Sequence, residues 1–445
     1  MPPIAIKQKR RVLIIAYYWP PAGGSGVQRF LKFVKYLREY GWEPVVYVPE
    51  NADYPVLDAK LLSDVPENLE VIKQPIWEPF TLYKMFTGKG KNAKMSINLT
   101  THDKKPGLKE NISLWIRGNL FIPDAKTFWI KPSVNFLTEY LKKHPVEAMV
   151  TTAPPPSLQV IGLQLHRKLN IPWVADFRDP WTEIDYYAEL KLSAWADAKH
   201  KRLEKEVLTE ANVVVSVGPT MNEMFGRKVK RDYEVITNGY DETDMQPNVP
   251  LSKKFTLLHI GVLLRGRNHP FLWKTLGELC KEFPDFAADL EIKLIGQLDF
   301  RVNDELAANG LTQNAYIGSH IPHDKAVLEQ QAAQVNMLFI DNIPTAKHEL
   351  TGKFFEYMMV GRPILCIGPE DGDVAAIMER TQTGEVVGFD NSAKLRMVLL
   401  QYYQQFKQGT LNGNTANTAE FSRKNLTGKL VNCIEKAIEN NKLNQ

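Results

Sequence analysis

Short apolar runs rich in β-branched residues recur along the chain, each separated from the next by a stretch with helical periodicity. Val12 to Ala16, Pro44 to Val48, Ala148 to Thr152, Trp173 to Ala175 and Val213 to Val217 make a first set. Phe255 to Ile260, Glu291 to Ile295, Ala315 to Ile317, Asn336 to Ile340 and Pro363 to Ile367 make a second. Helical periods fall near Pro270 to Glu282, Lys325 to Ala333 and Lys353 to Met359. Strand and helix in alternation predict a parallel sheet with helices on both faces, and here the pattern occurs twice. The expected fold is α/β, two doubly wound Rossmann-like halves in series, with the carboxyl ends of their strands across a shared cleft. The join is expected at 241–254, where DETDMQPNVPLSKK is polar and proline-bearing. The stretch 53–118 breaks the alternation and reads as an insertion.

A chain of 445 residues, 44% hydrophobic and 24% charged, has the composition of a globular protein of two or three domains. It contains no apolar run of about 18 residues, and MPPIAIKQKR leads straight into the first strand, so the expected location is cytoplasmic. Cys280, Cys366 and Cys433 are too scattered for a disulfide or metal framework. A formal charge of +4 gives nucleic-acid binding no support.

Candidate chemistry concentrates in ELTGKFFEYMMVGRPILCIG, Glu349 to Gly368. A helix starting after Thr351-Gly352 aims its first-turn N–H groups and positive dipole end at whatever lies in front, which favours phosphate. Lys353 in that first turn opposes the dipole unless an anion is shared between them. Glu356 lies one turn on, close to the same face. The set suits a nucleoside diphosphate, with lysine and amides on the phosphates and carboxylate on the ribose; an ordinary amphipathic helix with solvated Lys and Glu is the alternative.

Near the amino end, Gly23, Gly24 and Gly26 open a loop into the helix Val27 to Tyr40, where backbone amides can approach a ligand closely. The loop lacks the spacing of a dinucleotide fingerprint and the Gly-Lys-Ser/Thr of a P-loop. In HIGVLLRGRNHP the strand ends at Gly261, and Arg265 and Arg267 follow in a loop where they can neutralise a diphosphate or stand solvated. VADFRDPW places Asp176, Arg178 and Asp179 beside a strand end, either for function or as a structural pair between Arg178 and a carboxylate. Asn238-Gly239 in VITNGYD reads as a turn between domains.

Taken together, the glycine loop, Asn238-Gly239-Tyr240-Asp241, the Gly261 strand end with its basic loop, and FFEYMMVGRPIL resemble glycosyltransferase family 4 over nearly the whole chain. These are retaining transferases of GT-B fold, of the kind that build bacterial cell-surface polysaccharides. The resemblance implies a donor nucleotide sugar, UDP- or GDP-linked, held by the second domain, and an acceptor glycan or lipid-linked sugar held by the first. It implies domains at 1–245 and 246–420 and a last helix within 421–445 that crosses back onto the first domain. Asp176, Asp179, Arg267 and Lys353 become the candidate catalytic residues. Gly23, Gly24, Gly261, Arg265, Arg267, His348, Glu349, Lys353 and Glu356 become the candidate donor-binding set. No Asp-x-Asp signature stands in a ligand loop, so no cofactor and no metal are expected.

Three departures from the family pattern stand out. His348, with Glu349 beside it, occupies the position eight residues before Glu356 where many members carry a glutamate. Val262 follows Gly261, so that Arg267 most resembles the family's lysine and Arg265 or Lys353 supplies the missing charge. The run Asp176-Phe177-Arg178-Asp179 stands where a histidine is common. A nucleotide-sugar epimerase or hydrolase of the same build, or a nucleotide-binding protein without catalysis, are the other classes. Within the insertion, PFTLYKMFTGKGKNAKM (Pro79 to Met95) mixes aromatics and lysines, a composition suited to an anionic membrane surface or to a solvated loop.

Overall fold

The computed structural model describes residues 10–54, 56–78 and 108–443; the side chains of residues 25, 108–111, 113 and 265 lie outside the description. The chain divides into two compact units, residues 1–237 with 423–445, and residues 238–422.

The first unit holds a seven-stranded parallel sheet. Its strands are β1 (Arg10–Ile15), β2 (Trp42–Pro49), β3 (Glu70–Gln74), β4 (Ala148–Ala153), β5 (Trp173–Phe177), β6 (Val213–Ser216) and β7 (Glu234–Val235), in the order β3-β2-β1-β4-β5-β6-β7. Val12 of β1 aligns with Pro44 on one side and Ala148 on the other. Successive residues of β1 enter opposite layers: Val12 and Ile14 pack with Val27, Phe30 and Leu31, whereas Leu13 and Ile15 pack with Trp129, Leu137 and Trp173. Burial on both faces is why the strand reads as a continuous apolar run. Trp129 is stacked on Tyr47 at 5.2 Å between ring centroids and belongs to this core. The final helix, Arg423–Leu443, is part of the first unit: Leu426, Leu430, Ile434 and Ala437, spaced for one helix face, join the layer of Val27 and Phe30.

The second unit is a six-stranded parallel sheet built from β8 (Phe255–Ile260), β9 (Leu290–Ile295), β10 (Ala315–Gly318), β11 (Val335–Phe339), β12 (Ile364–Ile367) and β13 (Gly384–Val387), ordered β10-β9-β8-β11-β12-β13. Counted within the unit this is third, second, first, fourth, fifth, sixth, the Rossmann order. Leu257 of β8 faces Ile292 of β9 and Val335 of β11, so the order reverses between β8 and β11. Tyr240 and Ser422, at the two ends of this unit, form a parallel bridge, and Tyr240 Oη bonds the Thr418 carbonyl. The division falls between Thr237 and Asn238, a few residues ahead of the polar stretch expected as the join.

Three strands are missing from the two sets of apolar runs read in the sequence, although a strand is expected just before the Asn238 turn, where β7 lies. Glu70–Gln74 lies inside the expected insertion yet pairs with β2, with Val45 opposite Glu70. As an edge strand it has a single neighbour, and its side chains are exposed or half-buried, so its pattern is too polar to register. β7 and β13, two and four residues long, are too short to carry a period. The Pro79 to Met95 stretch lies outside the described residues.

Candidate functional site

In the second unit the loops after β8 and β11 leave adjacent strands at the point where the strand order reverses, the crevice where open α/β sheets hold ligands. The two loops are bonded to each other. Asn342 N donates to the Gly266 carbonyl at 3.0 Å, and Arg267 donates to Asp341 (2.9 Å) and Glu349 (2.5 Å). Glu349 also accepts from the Asp341 amide at 3.2 Å. A side chain at Gly266 would meet Asp341 Oδ1 at 2.5 Å, so the close approach of the loops depends on glycine there.

The chain then enters the helix Gly352–Val360, whose amino end has no side-chain cap and no acidic residue in its first turn. Thr351 Oγ1 is buried without a partner among the described residues. Lys353, second in the helix, lays its side chain over Gly261, which takes the left-handed φ of +126°. Among the described residues, the Lys353 ammonium makes no hydrogen bond and no ion pair. Burial, helped by the nearby Arg267 charge, lowers its pKa from the usual lysine value to about 8, against the opposing pull of Glu356 and Glu349. Glu356, one turn on, accepts one long bond from Gln330 Nε2 at 3.4 Å. A half-buried cation beside uncapped helix amides suits an anion.

Two buried histidines bond backbone carbonyls in this region. His259 Nδ1 bonds the Met337 carbonyl at 3.0 Å, tying β8 to β11, and burial lowers its pKa to about 3. His269 Nε2 bonds the Ile340 carbonyl at 3.1 Å, and burial lowers its pKa to about 4. Both rings are therefore neutral donors to carbonyls at physiological pH.

Gly261, Lys353, Glu349, Arg267 and Glu356 thus lie near one another. Arg267 is not the exposed cation expected for a diphosphate, because carboxylates occupy two edges of its guanidinium. Glu349 accepts from Arg267 and from the Asp341 amide, and so joins the two loops. His348 ends the short turn Ala346–His348 and is half-buried, with no side-chain hydrogen bond among the described residues. The Arg265 side chain lies outside the described residues. Asp341 was missed; its only signal is a carboxylate just after the strand, a placement common in ordinary loops.

The first unit corrects the expectation for Asp176. Its carboxylate is fully buried, bonded to Arg29 at 2.6 Å and to the Thr152 hydroxyl at 2.9 Å. Arg29, also fully buried, donates onward to the carbonyls of Ile236 (2.8 Å) and Thr237 (2.7 Å). Asp176 therefore has no face toward an acceptor, and its structural partner is Arg29, not Arg178. The sequence could not name Arg29, which is 147 residues away. Arg178 instead donates to the carbonyls of Ala153, Pro154 and Gly26, and a side chain at Gly26 would stand 3.2 Å from its Nη1. Asp179 is exposed at the end of this turn. The turn is anchored below by Thr182 and Lys228, which both bond the buried Glu204. Gly24 takes φ +89° at the start of the helix Ser25–Leu37, and Gly23 packs against Val56 and Asp58.

A cavity of about 550 Å³ opens elsewhere in the second unit, along β13, lined by Glu379, Glu385, Gln401 and Tyr402. It lies away from the loops at the reversal point. Among the described residues no group of three or more His, Cys, Asp or Glu is placed to hold a metal ion. No helix among them is long and apolar enough to cross a membrane.

No family model matches the chain, and no curated protein matches it in sequence. Solved structures do match over nearly the full length. Sucrose-phosphate synthase from Thermosynechococcus elongatus is 14% identical, with 97% of this chain and 99% of that one covered at a TM-score of 0.59. HepE from Anabaena, in complex with UDP-glucose, is 12% identical, with 96% and 99% covered at 0.56. A Listeria monocytogenes protein described as a UDP-N-acetylglucosamine 2-epimerase is 12% identical, with 97% of each chain covered at 0.55. At such identities the likeness shows the fold: GT-B, two parallel-sheet Rossmann-like domains with the last helix returned to the first.

Proposed function

We propose that this chain is a glycosyltransferase that moves a sugar from a nucleoside-diphosphate sugar to an acceptor hydroxyl. The observation that carries the reading is Lys353: an unpartnered cation over Gly261, at an uncapped helix start, at the reversal point of the sheet. A diphosphate would satisfy the ammonium and the helix amides together, and Glu356 stands within a turn for the ribose hydroxyls. As the sugar departs, negative charge grows on the diphosphate, and Lys353 with the helix dipole stabilises it where it forms. Arg267, Asp341 and Glu349 fix the two loops that aim these groups. Neighbours of the same fold are described with UDP-glucose (HepE) and with UDP (TarM from S. aureus), which supports a uridine or related nucleotide as donor carrier.

The finer reading is that of family 4: transfer with retention, without a divalent ion, from a UDP- or GDP-linked donor, in the cytoplasm, in the synthesis of a polysaccharide or glycolipid. On the acceptor side the candidate is Asp179, which is exposed at the end of the Arg178 turn.

The epimerase among the neighbours means that the fold does not separate transfer from epimerisation or hydrolysis. Incubation with several nucleotide sugars, with and without a crude lipid fraction, separates them. Sugar found on lipid or glycan supports the proposal. Free or altered sugar identifies a hydrolase or epimerase, and nucleotide binding without turnover identifies a non-catalytic protein.

A further inference from the structure

The first unit has a reversal point of its own: the strand order turns between β1 and β4, and the segments leaving their carboxyl ends frame a crevice there. Tyr18 follows β1, its ring 3.3 Å from where a β-carbon on Gly26 would stand and its centroid 6.0 Å from the Arg178 guanidinium. Asp124 closes the side of β4, accepting from Ser157 N at 2.7 Å and from Ser157 Oγ at 2.8 Å. The helix Leu108–Leu120 packs on the turn Asp185–Leu190: a side chain at Gly118 would meet the Leu190 carbonyl at 2.8 Å, and Asn119 accepts from Ser193 N at 2.6 Å. Arg117 of that helix and Tyr186 of that turn therefore stand on adjoining segments. Tyr186 is within electrostatic reach of Arg117, Asp179, Asp124 and Tyr18.

Much of the charge around this crevice already has partners. Asp124 also accepts from Lys126 N at 2.7 Å, and Glu78 accepts from Tyr17 Oη at 2.8 Å and from Lys126 Nζ. Arg117 differs. Half-buried, it makes no hydrogen bond and no ion pair among the described residues, whereas Arg29 and Arg38 of the same unit lie on carboxylates and Arg178 and Arg231 on carbonyls. The hydroxyls of Tyr18 and Tyr186, both half-buried residues, are likewise without a hydrogen bond among the described residues. Burial raises the pKa of both phenols, so they stand as neutral donors at physiological pH. A guanidinium drawn partly out of water, with O–H donors in the same crevice, calls for acceptor atoms and a counter-charge. A neutral sugar offers hydroxyls alone, whereas a phosphate or carboxylate supplies both in the geometry a guanidinium fork matches.

We propose that Arg117, with the hydroxyls of Tyr186 and Tyr18, receives an anionic group borne by the acceptor, so that the sugar accepting transfer is an acidic one, a sugar phosphate or a uronic acid. The inference rests on the glycosyltransferase reading and names the substrate class of its acceptor.

The test is calorimetric titration of the full chain with inorganic phosphate, glucose 6-phosphate, glucuronate and neutral methyl glucoside, with UDP in excess so that the Lys353 site is filled. At least one acidic probe should bind roughly 10- to 100-fold more tightly than the glucoside, the range for a charge-assisted bond, and the better of glucose 6-phosphate and glucuronate tells phosphate from carboxylate. Arg117→Gln should bring the acidic probes down to the level of the glucoside. Arg117→Lys, which keeps the charge and loses the fork, should restore part of the difference. No acidic preference in the wild type overturns the proposal, as does a preference that survives Arg117→Gln. Equal loss in the Gln and Lys variants, the mark of a structural role, overturns it too. UDP affinity is read on the same samples. Absent UDP binding alongside Arg117-dependent binding of an acidic probe would fail the glycosyltransferase reading, and UDP binding without any acidic preference would fail this inference alone.

Discussion

A β-carbon on Gly261 would stand 2.2 Å from Lys353 Nζ, so the lysine holds its place only because residue 261 is glycine. The two residues lie on different segments, one at the end of β8 and one in the first turn of the helix after β11. Val262 follows Gly261, and among the described side chains the cation laid against this glycine is Lys353, from the facing helix.

Lys353→Met should weaken UDP or GDP binding by roughly 10- to 100-fold, the range for a lost charge-assisted bond. The same substitution removes an unpartnered, half-buried charge and should leave thermal stability unchanged or raised. Calorimetric titration and a melting curve on one preparation test both. Unaltered affinity in the folded variant removes Lys353 from the site.

Gly261→Ala should reproduce the binding defect by displacing Lys353, with added strain from φ +126° of about 1–3 kcal/mol. Combining it with Lys353→Met should give little further loss of affinity, because both changes act on one group. Additive losses would mean that Gly261 contacts the ligand independently.

Nucleotide affinity should fall as pH rises through about 8, where the Lys353 ammonium loses its proton. Stability should move in the opposite direction. The folded pKa is depressed, so between about 8 and the usual lysine value the unfolded chain binds more protons, and the Lys353 contribution to stability rises with pH across that window. Lys353→Met should flatten both profiles, and a wild-type affinity that is level across pH 7 to 9 contradicts the assignment.

Asp176→Asn and Asp179→Asn should behave differently despite their proximity in sequence. The first leaves Arg29 buried without its counter-charge and should cost about 3–5 kcal/mol of stability. The second changes an exposed residue and should spare folding and nucleotide binding while lowering transfer. Urea unfolding and a transfer assay compare them; a stable Asp176→Asn protein with selectively lost transfer would return Asp176 to the acceptor side.

Glu349→Gln and Arg267→Gln should be coupled. Each alone leaves a partly buried charge short of a partner, whereas the pair removes both, so a double-mutant cycle on stability should give an interaction of about 1 kcal/mol or more. Independence would mean that Arg267 and Glu349 do not act as a clamp in solution.

The repeated α/β pattern was legible because parallel strands buried on both faces leave unbroken apolar runs such as Val12 to Ile15. The helix Gly352–Val360, with Lys353 and Glu356 on it, was legible for a similarly local reason: its glycine turn, its period and Gly361-Arg362-Pro363 beyond it are all contiguous. The edge strand β3 was not, since a strand with one neighbour needs few apolar residues.

Pairing was what the sequence left open. Whether Asp176 met Arg178, two residues on, or Arg29, on a helix in another part of the chain, depended on which face of β5 the helix Ser25–Leu37 covers. Whether Arg267 was an exposed cation or a clamped one depended on how near the loops after β8 and β11 approach, which Gly266 and Gly261 control by having no side chain. Charges were visible in the sequence as residue types, but their partners are set by strand order and by close contacts between distant segments. Local composition and period therefore determined the layers of this protein, and tertiary packing alone decided which of its charges are left for a ligand.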